Sequence, residues 1–237
     1  MRSLFFVIAL SALSGMSFAQ GPLNVQVGFH GNIGFPVGEF RENFNNSLGG
    51  TGWGAGMTML FNPKMGRAYS PVIVGFEGNY MNLGTDKTRE TKYLPQLKTT
   101  FNYFNIGPLV RVFLSNRKVG FTPFIDGFIG MKILNTNTKI DNTIFDTINN
   151  EESLESLLST NYESLGYGVG LGFYNRKIRN ENESEHSFFL RLMYQNGDRI
   201  PYVKRGSIQV DSDEGYITYQ TGRTETAMVS LQLGIIF

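Results

Sequence analysis

The chain is 237 residues long, contains no cysteine and carries a formal net charge of +1. Absence of thiols excludes a disulfide framework and a lipid-modified cysteine anchor. Near-neutrality removes any long-range pull toward nucleic acid. With 28 glycines, 20 phenylalanines and 11 tyrosines, the composition favours an all-β chain.

Taken from the N-terminus, Met1 and Arg2 give a positive start, Leu4 to Leu13 an apolar run, and Ser17-Phe18-Ala19 small residues where a signal peptidase reads. Residues 1–19 therefore read as a cleaved secretory signal peptide, with residues 20–237 as one barrel domain. The run is too short to span a bilayer, and no later stretch approaches the roughly 18 apolar residues of a membrane helix.

The mature chain then repeats one motif, period-two alternation separated by turn-rich gaps. Val25, Val27, Phe29, Ile33 and Phe35 oppose Gln26, Gly28, His30 and Asn32. Trp53, Ala55, Met57, Met59 and Phe61 oppose Gly54, Gly56 and Thr58. Val72, Val74, Phe76 and Tyr80 oppose Gly75, Glu77 and Asn79. A fourth segment sets Phe104, Ile106, Pro108, Val110, Val112 and Leu114 against Asn105, Gly107 and Arg111. The fifth sets Phe121, Pro123, Ile125, Gly127, Ile129, Met131 and Ile133 against Thr122, Asp126, Gly130 and Lys132. In the sixth, Leu165, Tyr167, Val169, Leu171 and Phe173 face away from Ser164 and glycines 166, 168, 170 and 172. Phe188, Leu190, Leu192 and Tyr194 oppose Arg191 and Gln195. The last segment alternates from Ala227 through Val229, Leu231, Leu233 and Ile235 to the terminal Phe237, against Thr226, Met228, Ser230, Gln232 and Gly234.

Eight segments, each with one unbroken apolar face, predict an antiparallel up-and-down barrel. The polar faces are rich in glycine and poor in charge, which suits a narrow interior, so the apolar faces are expected to meet lipid. Gaps fall near 36–50, 62–70, 84–97, 115–119, 135–160, 176–186 and 200–222, with the odd-numbered ones mostly long. That pattern predicts periplasmic termini and short turns, with the long loops extracellular. Within the fifth gap, Asn149 to Leu158 has a capping residue, acids and leucines at helical spacing, which reads as a turn or two of helix. Trp53, Tyr80, Tyr103, Tyr162, Tyr194 and Phe237 fall at segment ends and are candidates for interfacial aromatic girdles.

The closing run Val229-Ser230-Leu231-Gln232-Leu233-Gly234-Ile235-Ile236-Phe237 and the stretch Gly34-Phe35-Pro36-Val37-Gly38-Glu39-Phe40 carry a resemblance. The chain resembles the small eight-stranded outer-membrane β-barrels of OmpA/OmpX type, and more closely those common in Bacteroidota. Over essentially the whole mature chain, the resemblance implies residence in the outer membrane of a Gram-negative cell. It also implies that Val229, Leu231, Leu233, Ile235 and Phe237 form the C-terminal signal read by the barrel assembly machinery. The group includes passive barrels and subunits of secretion or gliding machinery, so envelope proteins and outer-membrane lipid are the expected partners.

Chemistry is sparse. Glu77, Arg111, Asp126, Lys132 and Arg191 fall on the polar faces, with His30 and Gln195 of the same kind. Buried charges must be paired, so these residues are expected to form a structural ion network filling the lumen. A gated ion path or small-ligand site is the alternative, although an eight-stranded interior is about filled by side chains. No catalytic site is expected: the two histidines are His30 and His186, and the adjacent His186 and Ser187 would point to opposite faces of a strand. The same scarcity of ligands argues against zinc or haem, and no cofactor is expected. Asp211-Ser212-Asp213-Glu214-Gly215 has some likeness to a calcium loop but lacks its spacing and terminal acid. The leading functional expectation is a non-enzymatic structural or interaction subunit. A narrow porin and a soluble periplasmic lipocalin-like carrier stand as alternatives.

Signal-peptide removal predicts that protein extracted from outer membranes has the intact mass of a chain starting near Gln20. A mass that still includes Met1 would show that the segment is retained.

Overall fold

The computed structural model describes residues 25–44, 50–62, 70–87, 96–115, 120–140, 156–176, 187–210 and 217–237. Eight strands form its wall: β1 (Val25–Pro36), β2 (Gly52–Phe61), β3 (Val72–Lys87), β4 (Leu97–Phe113), β5 (Gly120–Ile140), β6 (Ser156–Arg176), β7 (Ser187–Gly197) and β12 (Met228–Ile236). They close in the ring order β1-β12-β7-β6-β5-β4-β3-β2. Neighbours pair antiparallel, and β1 meets β12 from Gly28↔Ile236 to Pro36↔Met228. Within the closed ring each strand pairs with a neighbour on both sides, as a wall facing hydrocarbon requires, while β3 beyond Asn82 and β6 before Gly166 pair on one side only.

Side-chain parity follows the alternation in the sequence. Phe29, Phe76, Ile106, Leu171 and Leu233 are exposed on the outside, while their sequence neighbours His30, Glu77, Asn105 and Gln232 are buried within. The distribution is the inverse of a soluble barrel, whose apolar residues fill the interior. Trp53, Tyr80, Tyr194 and Phe237 lie on the outer surface. Tyr103 does not: it is buried inside, and Tyr162 packs against the interior too. Parity decides this, because each lies one residue out of phase with the outward series on its strand. Ala227 is also buried, one residue before β12 begins.

Both chain termini of the wall lie at one end, here the terminal end; the opposite end is the loop end. The strands differ greatly in length, with 10 residues in β2 but 21 in each of β5 and β6. Both flanks of the expected gap at 135–160 are therefore strand, with β5 running to Ile140 and β6 starting at Ser156. Thr136 and Thr138 point inward while Asn135, Asn137 and Lys139 point outward, so both faces are polar and the alternation carries no hydrophobic signal. Ser156–Leu158 belong to β6, which overturns the helix expected there; the remainder of Asn149–Glu155 lies outside the described residues. The Asp211–Gly215 loop and His186 lie outside them as well.

The expected loop at 200–222 contains two short antiparallel strand pairs among its described residues. β8 (Ile200–Val203) pairs with β11 (Thr221–Thr224), and β9 (Gln209–Val210) with β10 (Ile217–Thr218). One helix, α1 (Glu39–Phe44), follows β1. Pro36 ends the strand, Gly38 takes φ +58°, and its carbonyl accepts from Arg41 and Glu42 N–H groups to start the turn. No helix among the described residues is long and apolar enough to cross a membrane.

Leu233 sits midway along β12 on the exposed face. Leu233→Arg is expected to lower unfolding stability in phospholipid vesicles by about 2–4 kcal/mol. Thr221→Arg, on the exposed hairpin strand β11, should change it little, and equal effects from both would contradict a lipid-facing wall.

Candidate functional site: a charged belt inside the barrel

The interior is layered. At the terminal end, Leu60, Phe124, Phe128, Tyr174, Phe189 and Ile236 belong to one apolar cluster. At the loop end, α1 lowers Phe40 and Phe44 onto Phe101, Tyr103, Tyr202 and Met228. Phe44 meets Phe101 edge-on at 5.6 Å and Tyr202 at 5.3 Å. Arg205 lies over the Phe101 ring at 4.6 Å, and its Nη2 donates to the Leu83 carbonyl at 3.3 Å. Burial pushes that guanidinium below its ordinary value, with Asp86 opposing the shift.

Between these layers lies a polar belt of fully buried charges. Arg111 and Asp126 are direct register partners on β4 and β5. Arg111 donates Nε to Oδ1 and Nη2 to Oδ2, both at 2.8 Å, in the bidentate geometry that suits guanidinium and carboxylate. Arg191, reaching in from β7, donates Nη1 to Asp126 Oδ2 and Nη2 to Glu77 Oε2, each at 2.5 Å. Its Nε donates to Gln232 Oε1 at 2.7 Å, and Gln232 is its register partner on β12. Two carboxylates thus balance two guanidiniums. Arg111 also stacks on Phe124, 4.0 Å from the ring centre, tying the belt to the apolar layer beneath.

Neutral groups complete the belt. Glu77 accepts from Thr58 Oγ1 at 3.2 Å and from Asn79 Nδ2 at 2.8 Å. Asn79 Nδ2 also reaches Asn105 Oδ1 at 2.9 Å, and Asn105 Nδ2 donates to Gln195 Oε1 at 2.9 Å. His30 Nε2 lies 2.6 Å from Asn79 Oδ1, which Asn32 Nδ2 approaches at 3.0 Å.

Lys132 stands apart from the carboxylates. Its Nζ donates to the Thr226 carbonyl and hydroxyl, each at 3.2 Å, with the Tyr103 ring 5.9 Å away. Structure therefore joins Glu77, Arg111, Asp126 and Arg191 into one ion-paired group, and leaves Lys132 on neutral oxygens nearer the loop end.

The glycines of β6 make this arrangement possible. A Cβ on Gly166 would overlap the Lys132 stem, and one on Gly172 would overlap the Phe124 ring. Gly168 stands against Gln195, and Gly170 against Arg191 and Asp126. One wall of the barrel is stripped of side chains so that long ones from the other walls can fill the lumen. Asn79, Asn105, Gln232 and Thr58 share in the belt and Thr226 holds Lys132; the sequence signal for the strand residues among them is the parity they share with Glu77, Gln195 and Arg191. Among the described residues, no cluster of His, Cys, Asp or Glu is arranged to hold a metal.

A family model described as "Outer membrane protein beta-barrel domain" matches residues 5–177. No curated protein matches the chain. Among solved structures, Neisserial surface protein A is similar at 11% identity and a TM-score of 0.43, over 90% of this chain and 94% of that one. The N-terminal β-barrel domain of Pseudomonas aeruginosa OprF is similar at 11% identity and a TM-score of 0.40, over 90% and 97%. Ail, the attachment invasion locus protein of Yersinia pestis, solved with the heparin analogue sucrose octasulfate, is similar at 13% identity and a TM-score of 0.40, over 90% and 96%.

Asp126→Ala removes the carboxylate between two buried guanidiniums and is expected to cost about 3–5 kcal/mol of stability in denaturant unfolding. Replacing Arg111 and Asp126 together with leucine should cost less than Asp126→Ala alone, since no buried charge of that pair is stranded. A double variant at least as unstable as the single one would mean that the charges themselves, beyond their pairing, hold the barrel together.

Proposed function

The chain belongs to the outer membrane protein beta-barrel domain family, and from that membership we propose that it serves as a sealed, non-enzymatic anchor presenting an interaction surface outside the cell. It resides in the outer membrane. The observation that carries the proposal is the layered interior, in which the ion-paired belt is closed below by the Phe124 and Phe189 layer and above by α1 and Tyr202. A continuous aqueous path needs a polar route through both ends, and the two apolar layers oppose one.

In this reading the belt is a structural plug. Its charges are consumed in mutual pairing: Asp126 accepts from both arginines, and Glu77 accepts from Arg191, Asn79 and Thr58. No carboxylate of this group is left to bind a substrate or conduct an ion.

The loop end supplies the interaction surface. There the extended β4, β5 and β6 hold the cluster of Leu97, Val203 and Ile208, against which Leu157, Leu158 and Tyr162 pack. The β8–β11 hairpin is thereby fixed to the wall, giving a preformed platform for an envelope partner. An exported chain with periplasmic termini puts that platform outside the cell. The run Val229, Leu231, Leu233, Ile235 and Phe237, outward-facing on β12 and at the chain end, suits recognition by the assembly machinery during insertion.

The protein reconstituted in planar bilayers should show no conductance steps over a wide voltage range; reproducible openings would favour the narrow-porin reading. Affinity purification in mild detergent from native outer membranes, followed by mass spectrometry, is expected to recover the same envelope proteins repeatedly. Recovery of the barrel alone would leave a purely passive structural role. Lys204→Cys, exposed beside the β8–β11 hairpin, should react with an impermeant maleimide on intact cells, and protection there would reverse the proposed orientation.

A further inference from the structure

Strand register arranges the outward side chains of β3 to β6 into rows around the loop end. Tyr80, Phe104 and Ile133 form the last apolar row. Directly above it, Asn82, Asn102, Asn135 and Asn161 are successive register partners across four strands. Their amides join into a ladder: Asn82 Nδ2 donates to Asn102 Oδ1 at 3.1 Å, Asn102 Nδ2 to Asn135 Oδ1 at 3.1 Å, and Asn135 Nδ2 to Asn161 Oδ1 at 2.7 Å. The Tyr80 hydroxyl donates to Asn102 from the row below at 2.9 Å.

A second row holds Thr85, Thr100, Asn137 and Ser159, again partner to partner. The third is cationic, with Lys87 opposite Lys98 and Lys98 opposite Lys139. Among the described outward residues of these rows the one carboxylate is Glu163, in the lowest row at the β6 side. Like charges directly opposite on adjacent strands repel, so Lys98 and Lys139 side by side are favoured when an anion lies across them.

From membrane to water, one face of the wall thus reads apolar, amide, hydroxyl or amide, then ammonium. We propose that this face binds a phosphorylated glycolipid of the surrounding leaflet: its acyl chains against Tyr80, Phe104 and Ile133, its sugar on the asparagine ladder, and its phosphate against Lys98 and Lys139. Laddered amides leave outward donors and acceptors at strand spacing, which suits the closely spaced hydroxyls of a sugar ring. A simple phosphoglycerolipid supplies no sugar at that depth. The assignment rests on the orientation proposed above, because only the leaflet at the loop end meets these rows.

The chain's one tryptophan, Trp53, is the register partner of Asn82 at the end of the ladder and is solvent-exposed, so it reports on the face directly. Titrating the full-length mature protein in uncharged detergent with diphosphorylated lipid A should give a saturable change in Trp53 fluorescence. The joint variant Lys98→Glu and Lys139→Glu should bind at least about ten-fold more weakly, as should the wild type at high salt. The glutamine pair at the same positions should fall between them, and its retained folded-barrel mobility in gels controls for misfolding. Removing the ladder amides with Asn102→Ser and Asn135→Ser should weaken lipid A binding.

Unchanged affinity in the glutamate pair, or equally tight binding of phosphatidylglycerol, overturns the proposal; the second result would mark a generic anionic-lipid surface. Detergent micelles have no sides, so the titration is independent of orientation. Protection of Lys204→Cys on intact cells with normal lipid A binding would overturn the topology alone.

Discussion

Closure of β1 onto β12 is the constraint on which everything else depends. In an oily surrounding an unpaired strand edge exposes backbone groups that nothing else can satisfy, so the wall must be a ring. The Gly28↔Ile236 to Pro36↔Met228 register fixes which residues of the last strand face out. A slip of one residue would turn Leu231, Leu233 and Ile235 inward and Gln232 outward. Every strand between them inherits its parity from the same ring.

A ring of eight strands encloses a space that side chains must fill. The chain fills it with apolar layers at both ends and a charged belt between them, rather than with an apolar core throughout. The outer face takes one large apolar series, and the inner positions it alternates with are polar at mid-height and apolar toward the two ends. Desolvating four charges is costly, but Asp126 and Arg191 each serve two ionic partners, and the amides of Asn79, Gln195 and Gln232 take up neighbouring donors and acceptors. The bare β6 wall supplies the volume for this. Belt and wall are one solution, since neither fits without the other.

The two ends of the barrel are built differently. The terminal end finishes in an aromatic layer close to the strand ends. At the loop end the wall continues on one side only, through β3 to β6, and its inner face is covered by the β8–β11 hairpin while its outer face carries the asparagine and lysine rows. Thr99 and Thr138 bridge within that extension at 2.9 Å, so it is held by hydroxyls and amides as much as by apolar contact.

The sequence by itself determined the wall. Alternation such as Val229 to Ile235 marks strand and facing together, because lipid outside and a packed lumen inside impose opposite demands on successive residues. It also marked Glu77, Arg111, Asp126, Lys132 and Arg191 as inward residues. Which of them pair was decided only by tertiary structure: Arg191 meets Glu77 across the lumen over a separation of 114 residues, whereas Lys132 settles on Thr226. Beyond the apolar band the code fails. Asn135 to Lys139 is strand with polar residues on both faces, and in Ser156 to Thr160 the two leucines are adjacent, so neither stretch shows a period-two hydrophobic pattern. The descent of Phe40 and Phe44 onto Phe101 and Tyr202 and the alignment of four asparagines were likewise set by contacts between distant strands, whereas the inward turn of Tyr103 follows from parity alone. Local sequence carries the periodicity that a solvent boundary imposes, while register and contact across a closed ring arise only once the ring has formed.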